Sequence, residues 1–365
     1  MHNEIPASTS DISVDWLNER LADDPDVGMI VSMEREPLGV GVGILGELAR
    51  LKLTYASGHS GPATLIAKCQ SAFPENIALS QAMGFYVREI NFYNQIASQV
   101  TMRVPHCYAA DMAPGGVPFV LLLEEVTEAR MVDQLDGASR ADCERVIESM
   151  STLHARFWES DELYALDWLP PMNNDLYKGA AAIQTALWDG FVARWDGRLP
   201  GRVLECMPEI TSRYGELLDW WADQGNATFT HTDCRADNYL FGGSAGDGVT
   251  TVLDFQLCTR HVGVWDIANF LGASITTENR RAWEDDLVRG YHAQLLAKGV
   301  SADYTFERCW RDYRYCLLQQ AWALTVIADL DPGNERGRAL LDAMTMRPFQ
   351  AVEDLRSWEN LDKLR

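Results

Sequence analysis

Thr230-His231-Thr232-Asp233-Cys234-Arg235-Ala236-Asp237-Asn238, followed by Val252-Leu253-Asp254-Phe255, is the stretch on which the reading of this 365-residue chain turns. Asn238 lies five residues after Asp233, and Asp254 sixteen after Asn238. Between them run Tyr239-Leu240-Phe241, a glycine-, serine- and aspartate-rich turn over 242–248, and Val249-Thr250-Thr251-Val252-Leu253. Two short apolar or β-branched runs around such a turn predict a β-hairpin. In an antiparallel pair the start of the first strand lies beside the end of the second. Asn238 and Asp254 are therefore expected at the open end of the hairpin, with Asp233 in the loop just before it. A carboxylate and an amide oxygen suit Mg²⁺, which keeps an octahedral shell and takes few protein ligands. A further aspartate beside such a metal can orient a hydroxyl and accept its proton, which is the equipment of phosphoryl transfer.

Upstream, residues 37–46 contain G-x-G-x-x-G at Gly41, Gly43 and Gly46. The dinucleotide fingerprint must open a helix. Here Leu51, Leu53 and Tyr55 alternate with Arg50, Lys52 and Thr54, the period of a strand. A strand–glycine loop–strand hairpin over phosphates fits that context; a plain tight turn is the bland alternative. Ala63-Thr64-Leu65-Ile66-Ala67-Lys68 reads as a strand ending in one lysine, either a solvated edge residue or the group that meets α- and β-phosphates. The spacing predicts an amphipathic helix over 81–100 with Met83, Val87, Ile90, Asn94 and Ala97 on one stripe. Glu89 lies beside that stripe among Phe85, Tyr86 and Tyr93, as a solvated flank or as the partner that holds Lys68. Residues 117–125 read as a buried strand ending in Glu124-Glu125. Leu123 to Val126, with Leu123 and Glu124 foremost, are hinge candidates where an adenine would meet backbone.

The rest of the chain is less specific. A short helix over 14–21 is expected, capped by Ser13 or Asp11. A longer one begins near Ser139, with Asp142 completing a capping-box pattern, and carries His154 on its core face. Most of 163–224 and 277–364 has helical patterning. Eleven of the twelve tryptophans lie beyond residue 150, as core packing or as an apolar substrate wall.

Composition sets the bounds. With 47% hydrophobic and 23% charged residues, the chain is expected to be a globular protein with ample core. A net charge of −22 argues against nucleic acid, whose recognition begins with a basic footprint, and is compatible with a cationic substrate. The eight cysteines form no C-x-x-C pair and no zinc spacing, so reduced thiols and a cytoplasmic location are expected. Met1 to Asp11 carries no signal-like apolar run. Nor is there an apolar stretch of the ~18 residues that a membrane span requires.

These pieces together resemble the aminoglycoside phosphotransferase and choline kinase-like superfamily, most of all its ecdysteroid kinase-like (CHK kinase-like) branch and bacterial relatives. The carrying residues are Gly39 to Gly46, Lys68, Glu89, Val120 to Glu125, His231-x-Asp233-x-Arg235-x-Asp237-Asn238, Leu253-Asp254-Phe255-Gln256 and Trp265-Asp266-Ile267-Ala268. The resemblance implies a bilobal, protein-kinase-like α+β fold. A lead-in would occupy 1–30, a small β-rich nucleotide-binding lobe 31–125, and a larger helical catalytic and substrate-binding lobe 126–365. It implies Asp233 as the catalytic aspartate and Asn238 and Asp254 as Mg²⁺ ligands. Lys68, positioned by Glu89, would bind ATP or GTP phosphates beneath Gly41, Gly43 and Gly46. His231 would support the catalytic loop, Arg235 stands inside it, and Asp266 would brace it from below.

The expected activity is transfer of the γ-phosphate to a hydroxyl of a small molecule. A lipophilic, steroid-like alcohol is favoured, with choline- or aminoglycoside-type cationic acceptors as the alternative and oligomeric state left open. Two departures bear on it. Thr232 stands where the family often has glycine, and Arg235 stands where aminoglycoside enzymes usually have histidine. A pseudokinase without turnover is a rival reading. So is a serine hydrolase, from G-x-S-x-G at Gly242 to Gly246, although that elbow demands a following helix. A protein kinase is a third, but Trp265 comes only eleven residues after Asp254, too soon for a peptide-docking segment.

Overall fold

The computed structural model describes residues 4–38, 45–327 and 334–359. They form two compact units. One runs to Ala129 and takes in two later pieces, Gly243–Gly246 and Leu253–Leu257; the other holds the remainder from Arg130 onward.

The first unit is built on α1 (Val14–Arg20) and a five-stranded sheet of β1 (Ile30–Leu38), β2 (Gly46–Tyr55), β3 (Thr64–Gln70), β4 (Cys107–Met112) and β5 (Phe119–Glu124). The order is β1-β2-β3-β5-β4, antiparallel throughout. Ser13 caps α1, its hydroxyl accepting the Trp16 N–H at 3.1 Å, which decides between the two expected caps. Trp16 and Leu17 of α1 and Leu21 just after it pack with Leu51, Leu65, Ala67 and Leu122 in one buried cluster. Because side chains alternate across a strand, burying Leu65, Ala67 and Cys69 on that face sends Ile66 and Lys68 to the other. The sheet period thus aims the lysine away from α1. β4 is too short and too mixed in composition to announce itself in the sequence.

The expected single helix over 81–100 is replaced by two helices and a distorted turn. α2 (Pro74–Met83) starts with proline at its first position, where the missing N–H costs nothing. Gly84, at φ +72°, ends it in the left-handed region and α3 (Phe85–Asn91) follows directly. A π-helical turn, Phe92–Ile96, completes the segment. The buried face runs through Phe85, Glu89, Phe92 and Ile96, so Glu89 lies within the inward stripe and Asn94 is exposed.

The second unit contains α4 (Arg140–Phe157), α5 (Asp161–Ala165), α6 (Asp175–Trp195), α7 (Gly201–Ser212) and α8 (Tyr214–Ala222). After them come β6 (Ala227–Thr230), β7 (Tyr239–Phe241), β8 (Thr250–Val252) and β9 (Thr259–Val262). α9 (Val264–Ala273), α10 (Thr277–Ala297), α11 (Phe306–Ile327) and α12 (Glu335–Leu355) close the chain. Ser139 and Asp142 form the full capping box of α4. β7 and β8 are the expected hairpin, with Tyr239 opposite Val252, and β6 pairs antiparallel with β9. Ser244 sits in a 3₁₀ turn, its hydroxyl accepting the Thr127 N–H at 3.0 Å, and a strand rather than a helix follows. The hydrolase reading therefore has no elbow to stand on. Gly243 there has no alternative: an added Cβ would lie 2.3 Å from the Thr127 carbonyl oxygen.

His261 on β9 is buried, its Nε2 3.2 Å from Gln319 Oε1, and burial pushes its pKa down to about 4. The unfolded chain then binds a proton near the ordinary histidine value that the folded chain refuses. Stability is therefore fully present above that value and falls as pH drops toward 4. A loss of roughly 2 kcal/mol between about pH 7 and about pH 5 is expected in urea unfolding, and His261→Gln should flatten it.

Candidate active site

Lys68, Glu89 and Asp254 meet in the first unit. The Lys68 ammonium lies 2.9 and 2.7 Å from the two Glu89 oxygens and 3.2 Å from Asp254 Oδ1. β3 delivers the lysine, α3 the glutamate, and the turn after the hairpin the aspartate. Burial works against the lysine charge, but Asp254 and Glu89 outweigh it and the ammonium is held charged, its pKa raised. Burial pushes the Glu89 carboxyl upward, with Lys68 pulling the other way and Asp254 adding to the rise. One cation between two carboxylates leaves surplus negative charge, and a further cation would balance it.

Asp254 has φ +63°, the left-handed region that non-glycine residues rarely adopt. Its second carboxylate oxygen accepts from Gln256 Nε2 at 3.2 Å, and Phe255 stacks on Phe92 with ring centres 3.4 Å apart. These neighbours hold the turn in its strained form. Gly46, the described member of the glycine loop, lies against the lysine: an added Cβ would come within 3.3 Å of Lys68 Cε and 3.1 Å of the Cys69 carbonyl oxygen. Gly41 and Gly43 lie outside the described residues. Of the hinge candidates, Leu123 pairs with Ile66 in the ladder. Glu124 donates its N–H to His106 O at 2.8 Å and spends its carboxylate on Arg103.

In the second unit the loop after β6 presents Asp233. Asn238 Nδ2 donates to the Asp233 carbonyl at 2.8 Å and to its carboxylate at 3.0 Å. Arg235 Nε reaches both Asp233 oxygens, at 3.1 and 3.2 Å, while its Nη1 holds Asp237 at 2.7 Å. The loop is fastened from beneath. Asp266, fully buried at the start of α9, accepts the backbone N–H groups of His231 at 2.7 Å and Thr232 at 2.8 Å. His154 Nε2 lies 3.0 Å from the same carboxylate, so this histidine is core support. The His231 ring is buried and stacked near Tyr239. Cys234 is buried against the Tyr239 hydroxyl, and desolvation raises its thiol well above the ordinary value, which leaves no thiolate for nucleophilic work.

Thr232 explains its own oddity. Its φ is +71°, a conformation that glycine takes freely and a β-branched residue does not. Besides Asp266, the threonine is held by Trp265 Nε1 at 3.1 Å and Asn269 Nδ2 at 2.8 Å, both donating to its carbonyl. Its hydroxyl lies 2.8 Å from that of Thr259. Asn269 was not singled out by the sequence, although its spacing of four from Trp265 puts the two on one face of α9. Asp266→Ala would strand the buried His231 N–H, the half-buried Thr232 N–H and the His154 ring. A loss of about 3 kcal/mol or more is expected, read as a lowered urea midpoint at unchanged slope.

Asn238 and Asp254 flank the hairpin in sequence, one residue before β7 and two after β8. With its amide nitrogen committed to Asp233, Asn238 keeps Oδ1 as an acceptor. An amide oxygen and a carboxylate are the donor chemistry that Mg²⁺ takes alongside phosphates and water. Among the described residues no group of three or more His, Cys, Asp or Glu side chains forms a self-sufficient metal cage.

A family model described as the ecdysteroid kinase-like family matches residues 41–301. No curated protein sequence matches the chain. Solved structures do. A Ralstonia eutropha protein described as a candidate aminoglycoside phosphotransferase is 16% identical with a TM-score of 0.54, over 96% of this chain and 97% of that one. Plasmodium vivax ethanolamine kinase is 12% identical at 0.53, over 94% and 88%. An aminoglycoside 2′-phosphotransferase-IIIa variant solved with GDP is 10% identical at 0.51, over 96% and 97%. At such identities the likeness establishes the fold, the kinase-like α+β arrangement expected from the motifs. No described helix is long and apolar enough to cross a membrane.

Proposed function

Because the chain belongs to the ecdysteroid kinase-like family, we propose that it transfers the γ-phosphoryl group of ATP to a hydroxyl of a small molecule. The family makes it a kinase-like small-molecule phosphotransferase in general terms; nucleotide, metal, acceptor and residue roles belong to the proposal. What supports it most is the buried Lys68–Glu89 pair with Asp254 on the same ammonium. A lysine committed to two acids is poor surface decoration and good equipment for anchoring phosphates.

Phosphoryl transfer asks a protein mainly for positioning and charge neutralisation, because the transition state is loose and anionic. Lys68 binds the α- and β-phosphates while Glu89 keeps its amine in place. Asn238 and Asp254 supply the metal ligands, and Mg²⁺ when bound neutralises charge on the transferring group. Asp233 accepts a hydrogen bond from the acceptor hydroxyl, aligns its oxygen for attack and takes the proton late. Arg235 and Asn238 fix the Asp233 carboxylate, and His231 and Asp266 hold the loop. The acceptor proposed is a lipophilic alcohol, in keeping with the aromatic wealth of the second unit.

The test is a transfer screen of the purified chain with ATP, GTP and Mg²⁺ against alcohols spanning sterols, amino alcohols and aminoglycosides, with phosphorylated products read by mass spectrometry. A monophosphate of an uncharged alcohol supports the reading. Products confined to cationic acceptors would replace its acceptor class.

A further inference from the structure

A second site is built into the opposite end of the β6–β9 pair. There a cavity of about 180 Å³ is lined by Tyr164, Met172, Leu218, Trp221, Arg260 and His261, with no acid among its described lining. Two of these residues carry donors without acceptors. The Arg260 guanidinium lies over the Tyr164 ring, 4.8 Å from its centre, and makes no side-chain hydrogen bond or ion pair among the described residues. Trp221 is 4% exposed and its indole N–H has no acceptor.

Arg308 and Arg347 also lack an acid, but each spends its guanidinium on backbone carbonyls, which Arg260 does not. Neighbouring polar groups do not fill the gap: Asn173 is spent on Asp219 at 2.9 Å, and His261 faces Gln319. Arg260 is half-buried, and a guanidinium that lines an acid-free cavity has its N–H groups open to an acceptor from outside. A planar guanidinium fork suits a carboxylate, and the walls of Trp221, Leu218 and Met172 suit an apolar body. The volume admits about one aromatic ring or a short branched chain, the scale of a benzene-sized cavity, and excludes a nucleotide or a sterol.

We infer that the cavity between Tyr164, Trp221 and Arg260 binds a small carboxylate with a single-ring or branched aliphatic body. The site does not depend on the phosphotransferase reading. Arg260 sits opposite Phe229, and the next residue of its strand toward the catalytic loop, Thr259, bonds the hydroxyls of Thr230 and Thr232. The cavity thus lies behind the loop, on the strand that buttresses it.

The test uses the full chain and three probes, phenylacetate, phenylacetamide and inorganic phosphate, with binding followed by calorimetry and saturation-transfer NMR. Phenylacetate should bind at least about tenfold more tightly than the amide, the worth of a charge-assisted bond to arginine. Arg260→Gln should bring the acid down to the affinity of the amide, and Trp221→Phe should weaken it several-fold. Equal affinities for acid and amide, no binding of either, or full displacement of phenylacetate by inorganic phosphate would overturn the assignment. So would undiminished binding to Arg260→Gln. The acid–amide comparison on the unmodified chain decides the matter if a variant fails to fold.

Discussion

Asp233→Ala is expected to lower turnover by about 10³-fold or more while leaving nucleotide affinity within a few-fold of the parent. The asymmetry follows from what the side chain touches. Its carboxylate is held by Arg235 and Asn238 within its own loop, whereas the lysine assigned to the phosphates is held by Glu89 and Asp254. Removing it deprives the acceptor oxygen of alignment and of a proton acceptor and leaves the lysine cluster intact. Steady-state rates together with a nucleotide titration of the same preparation separate the two effects. Near-normal transfer in the variant would remove Asp233 from its role.

Asp254→Ala is expected to act on the other half of the reaction. It deletes one of the two proposed metal ligands and one of the two acids on Lys68, while Glu89 keeps the ammonium paired. Altering even an outer partner of a metal ligand costs about 10–100-fold in affinity. Loss of a ligand itself should therefore weaken Mg²⁺-dependent nucleotide binding by at least about tenfold and abolish most turnover. The fold should survive, because the side chain is 28% exposed and no buried charge is left alone. Fluorescent-nucleotide binding at rising Mg²⁺ measures it, and an unchanged metal dependence would exclude Asp254 as a ligand.

The parts of this design that were legible in the sequence are those with a local cause. A turn rich in glycine, serine and aspartate between two β-branched runs can only fold back, so β7 and β8 and the placement of Asn238 at their start were readable. Period-two alternation exposed β2, and a lone lysine closing an apolar run marked Lys68. An acid among aromatics marked Glu89. The break at Gly84 is hidden in the sequence because one glycine inside a helical pattern is usually tolerated, and Pro74 is the local cue to the true helix start. The inward stripe was misplaced with it.

Three further features have tertiary causes. Asp254 joins the unit of Lys68 rather than that of its own hairpin. That depends on a left-handed backbone at a residue type that seldom adopts it, held by Gln256 and the stacking of Phe255 on Phe92. Thr232 likewise survives where glycine would be easier, through bonds to residues 27 to 37 positions away that no local pattern announces. The unpaired donors of Arg260 and Trp221 are visible only once the chain is folded.

The most direct measurement follows ATP, Mg²⁺ and a mixed pool of lipophilic alcohols by phosphorus NMR in the presence of the purified chain. The expected result is a phosphate monoester resonance growing in step with ADP, absent from an Asp233→Ala sample that still binds nucleotide. A chain that binds nucleotide but forms neither ADP nor a monoester with any alcohol would contradict it.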